Sequence, residues 1–307
     1  MSSRTRSVSI VLLAAALWGI SGTVAQALFD RYGFPPLGLV TLRMSFSGLF
    51  LLVALRPRFP KERAGRLVLF SLIGLFAVQA SYFLAIANSN SPTATLLQSL
   101  SLPMMAVFEG SRSRSSRSLG MVFAVLFAAI GTVLLTLGEA RAGLTLTVPG
   151  LVFGLISAIT AAYYTLDSRT LTRVEDPWAI TGWSMLIGGL FSVPFGLPTL
   201  VSFGSHSFGG DPVLLLALIL FVIVAGTLIP FGLYLEGRDV ISGTEAGVAG
   251  VMEPISATVV ALLFLGVVLT PLQYVGGALM LGSVVYLSWM RPAPPSASGR
   301  TSRPPKG

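Results

Sequence analysis

Three ionisable side chains stand inside long apolar stretches of this sequence: Arg43, Glu245 and Glu253. An ionisable group inside a membrane costs about 2.5–3.5 kcal/mol on insertion scales, so such groups are rare and commonly functional. Arg43 could bind a carboxylate inside the protein or extend outward to the membrane surface. Glu245 and Glu253 could each carry a coupling proton or meet an amino group. Their structural alternatives are a first-turn acid facing the helix dipole for Glu245 and helix packing for Glu253.

A second group of candidates is polar or aromatic. Ser91, Thr95 and Gln98 recur at the spacing i, i+4, i+7, so they share one face of a helix. Such a face either lines a cavity or forms hydrogen bonds with neighbouring helices. Pro103 and Pro254 each break an apolar stretch, and a helix break frees a backbone carbonyl that a ligand can use. Aromatic residues near the middle of the apolar stretches could stack on a ligand or pack in the interior: Trp18, Tyr82, Tyr163, Tyr164 and Trp183.

The elements that must position these residues are membrane-spanning helices. Hydrophobic residues make up 53% of the chain and charged residues 10%, whereas soluble domains carry about 25% charge. A helix needs roughly 20 apolar residues to cross a hydrocarbon core about 30 Å thick. The sequence therefore predicts an all-α polytopic membrane protein with ten transmembrane helices. The predicted spans are Val8–Phe29, Leu37–Leu55, Gly65–Ile86, Pro92–Phe108, Leu119–Gly138, Pro149–Ser168, Trp178–Leu197, Pro212–Leu235, Thr244–Leu265 and Pro271–Trp289.

The basic residues indicate how the chain is oriented in the membrane. Nearly all of the 20 Lys and Arg residues fall at the two termini or in every second gap between spans; the other gaps hold only Arg31 and Arg141. Because cytoplasmic loops carry the excess of Lys and Arg, both termini are predicted to be cytoplasmic. Residues 1–7 then form a cytoplasmic N-terminal tail. Residues 290–307, rich in Pro, Ser and basic residues, form a disordered cytoplasmic tail.

An internal repeat divides the predicted spans into two sets of five. Tyr82–Pro103 aligns without a gap to Leu233–Pro254, and each segment ends a third span, makes a short polar turn and enters a fourth span that a proline breaks. We place the repeats at residues 8–138 and 149–289. Because five is odd, the second repeat enters the membrane from the opposite face. Inverted repeats of this kind are characteristic of secondary transporters, whose substrate site lies near the midplane where the repeats meet.

The order of these elements resembles the EamA family of the drug/metabolite transporter superfamily. The matching pieces are Leu17-Trp18-Gly19 in the first span, Arg43 in the second, and the segments that end at Pro103 and at Met252-Glu253-Pro254. The resemblance covers roughly residues 8–290. It implies ten spans in two five-span repeats and the export or exchange of small metabolites, often amino acids, across the cytoplasmic membrane.

Two departures from the family pattern weaken any inference of this chain's substrate from the substrate of a relative. The family often has Leu-Gly-Glu before the last span of each half, whereas this chain has Leu265-Gly266-Val267 in the second half and an Arg/Ser stretch in the first. The tryptophan of the first span has no counterpart in the second half, where Thr160–Ala162 stand.

Composition also narrows the function. The chain has no Cys and a single His, His206, so no metal site and no cofactor are expected. One intramembrane Arg is too few to replace the hydration of a phosphorylated anion. We predict a secondary transporter of small neutral or zwitterionic metabolites, with amino-acid export favoured and proton coupling left open. The alternatives are a multidrug or quaternary-cation exporter, a membrane-embedded lipid enzyme, or a scramblase. The expected partners are a small-molecule substrate and the inner-membrane lipid bilayer, not nucleic acid, in a monomer or homodimer.

Overall fold

The computed structural model describes residues 3–105, 123, 126–134, 137, 147–172, 174–204, 210–238 and 249–290. In this part of the chain the regular structure is helical throughout, with short turns between the helices. The predicted all-α class is therefore confirmed. Nine of the 20 residues of the fifth predicted span lie outside the described residues, as do His206, Glu245 and the tail from residue 291 onward.

The first half contains five helical elements. They are α1 (Ser3–Tyr32), α2 (Pro36–Leu55), α3 (Lys61–Ala87), α4 (Ser91–Ser99) and the helical residues 126–134 of α5. Helix α1 includes residues 3–7, which the sequence predicts as part of a tail. Within α3 the segment Phe70–Ala77 is π-helical. Helix α4 ends in a turn at Leu100, after which residues 101–105 are helical again.

The second half repeats this series. It contains α6 (Val148–Thr172), α7 (Pro177–Gly204), α8 in three consecutive pieces (Pro212–Ile223, π-helical Val224–Leu228 and Ile229–Arg238), α9 (Met252–Leu265) and α10 (Pro271–Met290). Residues 249–250 are helical, and a turn at Val251 separates them from α9. Several helices begin at a proline, which suits the first turn because its missing N–H has no partner there.

Six helices of the described part are long and apolar enough to cross a membrane: α1, α2, α3, α6, α7 and α8. The 20 residues of α10 reach about 30 Å at 1.5 Å per residue, whereas α9 is a shorter apolar helix of 14 residues. Large apolar side chains are exposed on the outer surface of the bundle, as Phe50, Leu263 and Phe264 illustrate. This pattern is expected where lipid, not water, is the solvent.

The two halves are related as inverted repeats. Helix α1 runs antiparallel to α8 and parallel to α9 of the second half. Likewise, α6 runs antiparallel to α3 and parallel to α4 of the first half. Helix α2 crosses α7 antiparallel, and at the crossing Thr41 Oγ1 donates to the Ser192 carbonyl at 3.2 Å. These two residues are 151 positions apart, which is the offset of the sequence repeat. A residue therefore contacts its own repeat counterpart, which places a pseudo-two-fold axis at this crossing.

The irregular segments of the two halves are also related by the offset of 151 residues. The π-helical segment Val224–Leu228 of α8 corresponds to the second part of the π-helical segment Phe70–Ala77 of α3. The turn at Leu100, three residues before Pro103, corresponds to the turn at Val251, three residues before Pro254. The proline cannot donate to the carbonyl four residues earlier, so the helix is interrupted there.

The starts of α1, α3 and α7 and the ends of α6 and α8 meet at one end of the bundle, which we call the N-terminal face. Contacts between Arg66 and Asp167, and between Arg6 and Glu236, mark this face. The starts of α2 and α6 and the end of α1 lie at the opposite face.

Candidate functional site

Arg43 is the centre of the candidate site. Its side chain lies inside the bundle, with 3% of the residue exposed, so it does not extend outward to the membrane surface. The guanidinium donates from Nε to Thr227 Oγ1 at 2.7 Å and from Nη2 to the Gly226 carbonyl at 3.3 Å. Its Cζ lies 4.4 Å from the centre of the Phe83 ring. All of these partners are neutral, and within the described residues Arg43 has no carboxylate partner.

The π-helical segment of α8 provides the partners of Arg43. Thr227 Oγ1 donates to the Val222 carbonyl at 2.7 Å, so its lone pairs are left to accept from the guanidinium. Ser47, one turn after Arg43 on α2, donates to the Ile223 carbonyl at 3.0 Å and fixes α2 against this segment. A π-helical turn changes the backbone register, and such turns occur frequently at functional sites.

Helix α1 contributes a polar and an aromatic side chain beside this segment. Ser21 is 2% exposed, and its Oγ has no hydrogen-bond partner. It lies against Gly226, where any Cβ would overlap the hydroxyl. One turn earlier, Trp18 packs against Phe231 and Tyr234 with ring centroids 4.9 and 5.1 Å apart, and its Nε1 also has no partner.

Tyr82 and Thr95 form a buried hydroxyl pair between α3 and α4. Their oxygens are 2.7 Å apart. Thr95 also lies 2.6 Å from the Ser91 carbonyl, to which it donates, so Tyr82 is the donor to Thr95. The Tyr82 hydroxyl lies over Gly22 of α1, where no side chain would fit. The pair therefore contacts α1 at the residue that follows Ser21.

The polar face of α4 is used mainly to join helices. Ser91 Oγ is 2.9 Å from Thr23 Oγ1, and Thr23 Oγ1 is 3.2 Å from the Ala257 carbonyl of α9. The backbone N–H of Ser91 donates to Gln26 Oε1 at 2.9 Å. The sequence predicts that this polar face either lines a cavity or bonds neighbouring helices, and Ser91 and Thr95 form hydrogen bonds with neighbouring helices. Gln98 is half-buried on the same helix and makes no side-chain hydrogen bond within the described residues.

Glu253 lies in the first turn of α9, against Gly19 of α1. Its carbonyl and the Ser256 hydroxyl contact Gly19, so α9 packs directly on α1 at this point. The Glu253 side chain is half-buried and has no hydrogen bond or ion pair within the described part of the chain. Pro254 follows it at the third position of α9, where the missing N–H leaves no gap in the helix.

Two predicted site residues lie elsewhere. Tyr163 donates to Asp167 Oδ2 at 3.2 Å, and Asp167 accepts from Arg66 Nε at 2.9 Å, so Tyr163 belongs to the N-terminal face. Trp183 packs edge-on against Phe59, which follows α2, with ring centroids 5.0 Å apart. The structure therefore brings Arg43, Tyr82, Thr95, Trp18 and Glu253 close to a common stretch of α1, but not Tyr163 or Trp183.

Sequence reasoning missed Ser21, Gly226 and Thr227. A signal for Ser21 exists, because it follows Trp18 at helical spacing i+3. Thr227 is the one hydroxyl residue in the apolar run Leu214–Ile229, which also indicates a special position. Nothing in the sequence indicates that the chain around them is π-helical.

Comparison with known proteins identifies the family. The EamA-like transporter family matches residues 5–137 and 148–289, which is most of the chain and includes both halves. The chain belongs to the EamA-like transporter family. This EamA protein is 32% identical over 299 residues to the uncharacterized inner membrane transporter YicL of Salmonella typhimurium, with 94% of this chain and 97% of YicL covered.

A second relative has a named substrate. The threonine/homoserine exporter RhtA of Escherichia coli K12 is 28% identical over 285 residues, with 91% of this chain and 89% of RhtA covered. A solved crystal structure superimposes with a TM-score of 0.64 and covers 92% of this chain and 96% of its own, at 20% sequence identity. At that identity the likeness shows the fold alone. The EamA protein is therefore a multi-pass membrane transporter, as the sequence predicts, and these named relatives are transporters rather than enzymes.

Proposed function

We propose that this EamA transporter moves small zwitterionic metabolites, amino acids foremost, across the inner membrane by alternating access. The two inverted repeats would alternate around the Arg43 region between a form that is open to one face of the membrane and a form that is open to the other. Arg43 would bind the substrate carboxylate. Both termini would be cytoplasmic, because the basic residues of the sequence favour that orientation.

The observation that carries this proposal is the buried guanidinium without a carboxylate partner. Removing a charge from water costs several kcal/mol, and one hydroxyl, one carbonyl and a ring face supply only part of the lost solvation. Arg43 uses Nε and Nη2 in its hydrogen bonds, and Nη1 makes none within the described residues. A substrate carboxylate would supply the missing charge, and an Arg fork is suited to bind it.

The export direction rests on the relatives. RhtA is named as an exporter of threonine and homoserine, which are small zwitterions, and this chain spans most of its length. We carry over the class of substrate and the direction of transport, not the identity of the amino acid. Because the chain departs from the family pattern at Leu265-Gly266-Val267 and at Thr160–Ala162, a panel of amino acids should be tested.

The aromatic cluster favours a second candidate, export of quaternary cations. Trp18, Tyr164, Phe231 and Tyr234 lie within 6.0 Å of one another in successive ring pairs, and aromatic faces attract cations. Glu253 would supply the negative charge. The buried Arg43 opposes this candidate, because it would repel a cation that approached the same region.

Counterflow in proteoliposomes tests the proposal. Vesicles loaded with one unlabelled amino acid from a panel, each in turn, should take up the same labelled amino acid. We expect Arg43→Gln to reduce this uptake at least tenfold, because the carboxylate loses its ion pair. Arg31→Gln is the matched control, since Arg31 is an exposed α1 residue that donates to the Phe264 carbonyl at the opposite face.

Each outcome has a clear meaning. Loss in Arg43→Gln with normal uptake in Arg31→Gln supports the proposal. Equal uptake in the wild type and Arg43→Gln would remove Arg43 from the substrate site. If no amino acid exchanges but a labelled quaternary cation does, the second candidate replaces the first.

A further inference from the structure

We infer that Ser21 completes the substrate-carboxylate subsite with Arg43, and that Gly226 allows Ser21 to approach the segment that holds Arg43. The inference rests on the proposed function, since it adds a second donor to the site that Arg43 would provide. Its evidence is separate from the charge of Arg43. It comes from a buried hydroxyl without a partner and from a glycine that both side chains share.

The Ser21 hydroxyl is one of the few buried serine hydroxyls in the described residues that lack a partner; Ser157 and Ser184 are others. Ser71 donates to the Leu67 carbonyl at 2.6 Å and Ser81 donates to the Ala77 carbonyl at 2.6 Å, so each is satisfied by its own helix. Ser21 is equally buried and makes no such bond. A buried polar group without a partner is unfavourable, so a native structure needs a reason to retain it. A ligand that accepts from the hydroxyl is such a reason.

Gly226 brings the two donors together. Arg43 Nη2 donates to the carbonyl of Gly226, and Ser21 Oγ occupies the side where a Cβ of Gly226 would be. Both donors therefore contact one residue, whose carbonyl oxygen and Cβ direction are only a few ångströms apart. A Cβ at position 226 would overlap the Ser21 side chain, so a larger residue there would push α1 away from this segment. The glycine is thus explained by the close approach of Ser21 and α1 to this segment.

The pair of donors selects the chemistry of the ligand. A guanidinium and a hydroxyl together can donate to both oxygens of one carboxylate. A protonated amine or a quaternary ammonium group has no acceptor for either donor. A primary amide has one acceptor oxygen and no charge, so it satisfies the site only in part. The inferred specificity is therefore for monocarboxylates over the corresponding amides.

Ser21→Ala tests this inference. We expect the KM of amino-acid counterflow to rise about tenfold while the maximal rate changes little, because a hydrogen bond to the charged substrate is lost. The melting temperature of the detergent-solubilised protein should stay the same or rise, since the hydroxyl loses no protein partner. A purely structural role would instead lower the melting temperature and leave KM unchanged.

Ser157→Ala is the matched control. Ser157 is fully buried on α6, and its hydroxyl also lacks a partner, but none of its described contacts joins it to Arg43 or Gly226. We expect this variant to keep the wild-type KM. Competition by amino-acid amides gives a second measure: the preference for acid over amide should fall in Ser21→Ala and persist in Ser157→Ala.

The results separate the inference from the proposed function. If Arg43→Gln abolishes exchange while Ser21→Ala keeps the wild-type KM and acid preference, the subsite is wrong and the transport proposal stands. If Arg43→Gln has no effect, both fall. An equal rise of KM in Ser21→Ala and Ser157→Ala would also overturn the inference, because the effect would not depend on the position of the hydroxyl.

Discussion

Arg43 is held in the bundle by groups that cannot neutralise it. Thr227 and the Gly226 carbonyl accept its hydrogen bonds and Phe83 covers one face of the guanidinium, yet each of these groups is neutral. This arrangement fixes the direction of the side chain without saturating its donors. A salt bridge would fix it equally well but would compete with an anionic ligand. The choice of partners therefore suits a residue that must bind and release a carboxylate in every cycle.

Glu253 is the residue at which we expect proton coupling to be lost. Titratable groups on α1 and α4, the described helices that pack on α9, are confined to the two ends of α1, at Arg4, Arg6, Asp30, Arg31 and Tyr32. The Tyr82 hydroxyl, which lies over Gly22, reaches the same side of α1 from α3. Glu253 is therefore the one carboxylate near the centre of this interface within the described residues.

Glu253→Gln keeps the shape of the side chain and removes its exchangeable proton. In proteoliposomes we expect counterflow to persist in this variant. Export should no longer be stimulated when the compartment that receives the substrate is acidified. Glu62→Gln is the control, since Glu62 is an exposed carboxylate at the start of α3. An unchanged response to the pH gradient in Glu253→Gln would assign Glu253 to helix packing.

Among the elements, α1 has close neighbours on two sides, α9 and α3. Gly19 contacts the Glu253 carbonyl and the Ser256 hydroxyl of α9, and Gly22 contacts the Tyr82 hydroxyl of α3. Small residues let the backbones approach, and in a membrane this packing and the hydrogen bonds between helices drive association. The candidate site is therefore assembled around a helix whose small residues are as important as its polar ones.

Gly19→Ala should disturb this assembly. The added methyl group would overlap backbone and side-chain atoms of α9, and overpacking of this kind costs about 1–3 kcal/mol. We expect a lower melting temperature in detergent and weaker counterflow. Gly282→Ala on α10 is the control, because its Cβ would meet open space and alanine suits a helix better than glycine. A Gly19→Ala protein as stable as the wild type would mean that α9 can move away from α1 without cost.

The sequence predicts the helices better than it predicts their irregularities. Span lengths, the repeat offset and the prolines are visible because apolar runs and Pro have direct physical consequences. The turns at Leu100 and Val251 follow from Pro103 and Pro254. The π-helical segments have no such marker, since their register depends on tertiary contacts such as that between Arg43 and Thr227.

The same limit explains the candidate site. Arg43 is found from sequence because a charge in an apolar run is rare. Ser21 is one of many small residues on a span, and only its unused hydroxyl together with its contact to Gly226 distinguishes it. Tyr163 and Trp183 look like Trp18 in the sequence, because an aromatic residue near the middle of a span carries no information about the direction in which it points.

At the scale of the whole molecule, the two faces of the bundle are joined differently. At the N-terminal face, Arg66 of the first half pairs with Asp167 of the second, and Arg6 lies 4.0 Å from Glu236. At the opposite face the described contact of Arg31 is a hydrogen bond to the Phe264 carbonyl. Alternating access must separate the halves at each face in turn. The ion pairs between halves should therefore favour the form that is closed at the N-terminal face.

Breaking the pair between Arg66 and Asp167 should open that face. The chain has no Cys, so Ser168→Cys, at a buried position next to Asp167, introduces a single reporter thiol. We expect Arg66→Gln to increase the rate at which a water-soluble maleimide labels this thiol, because the closed form loses an interaction that the open form lacks. The charge-reversed pair Arg66→Asp with Asp167→Arg should restore slow labelling, which general unfolding would not. Arg31→Gln should leave the rate unchanged, since Arg31 lies at the opposite face. Equal labelling with and without Arg66→Gln would mean that other contacts, such as the stacked rings of Phe70 and Tyr164 with centroids 5.4 Å apart, close this face without the pair.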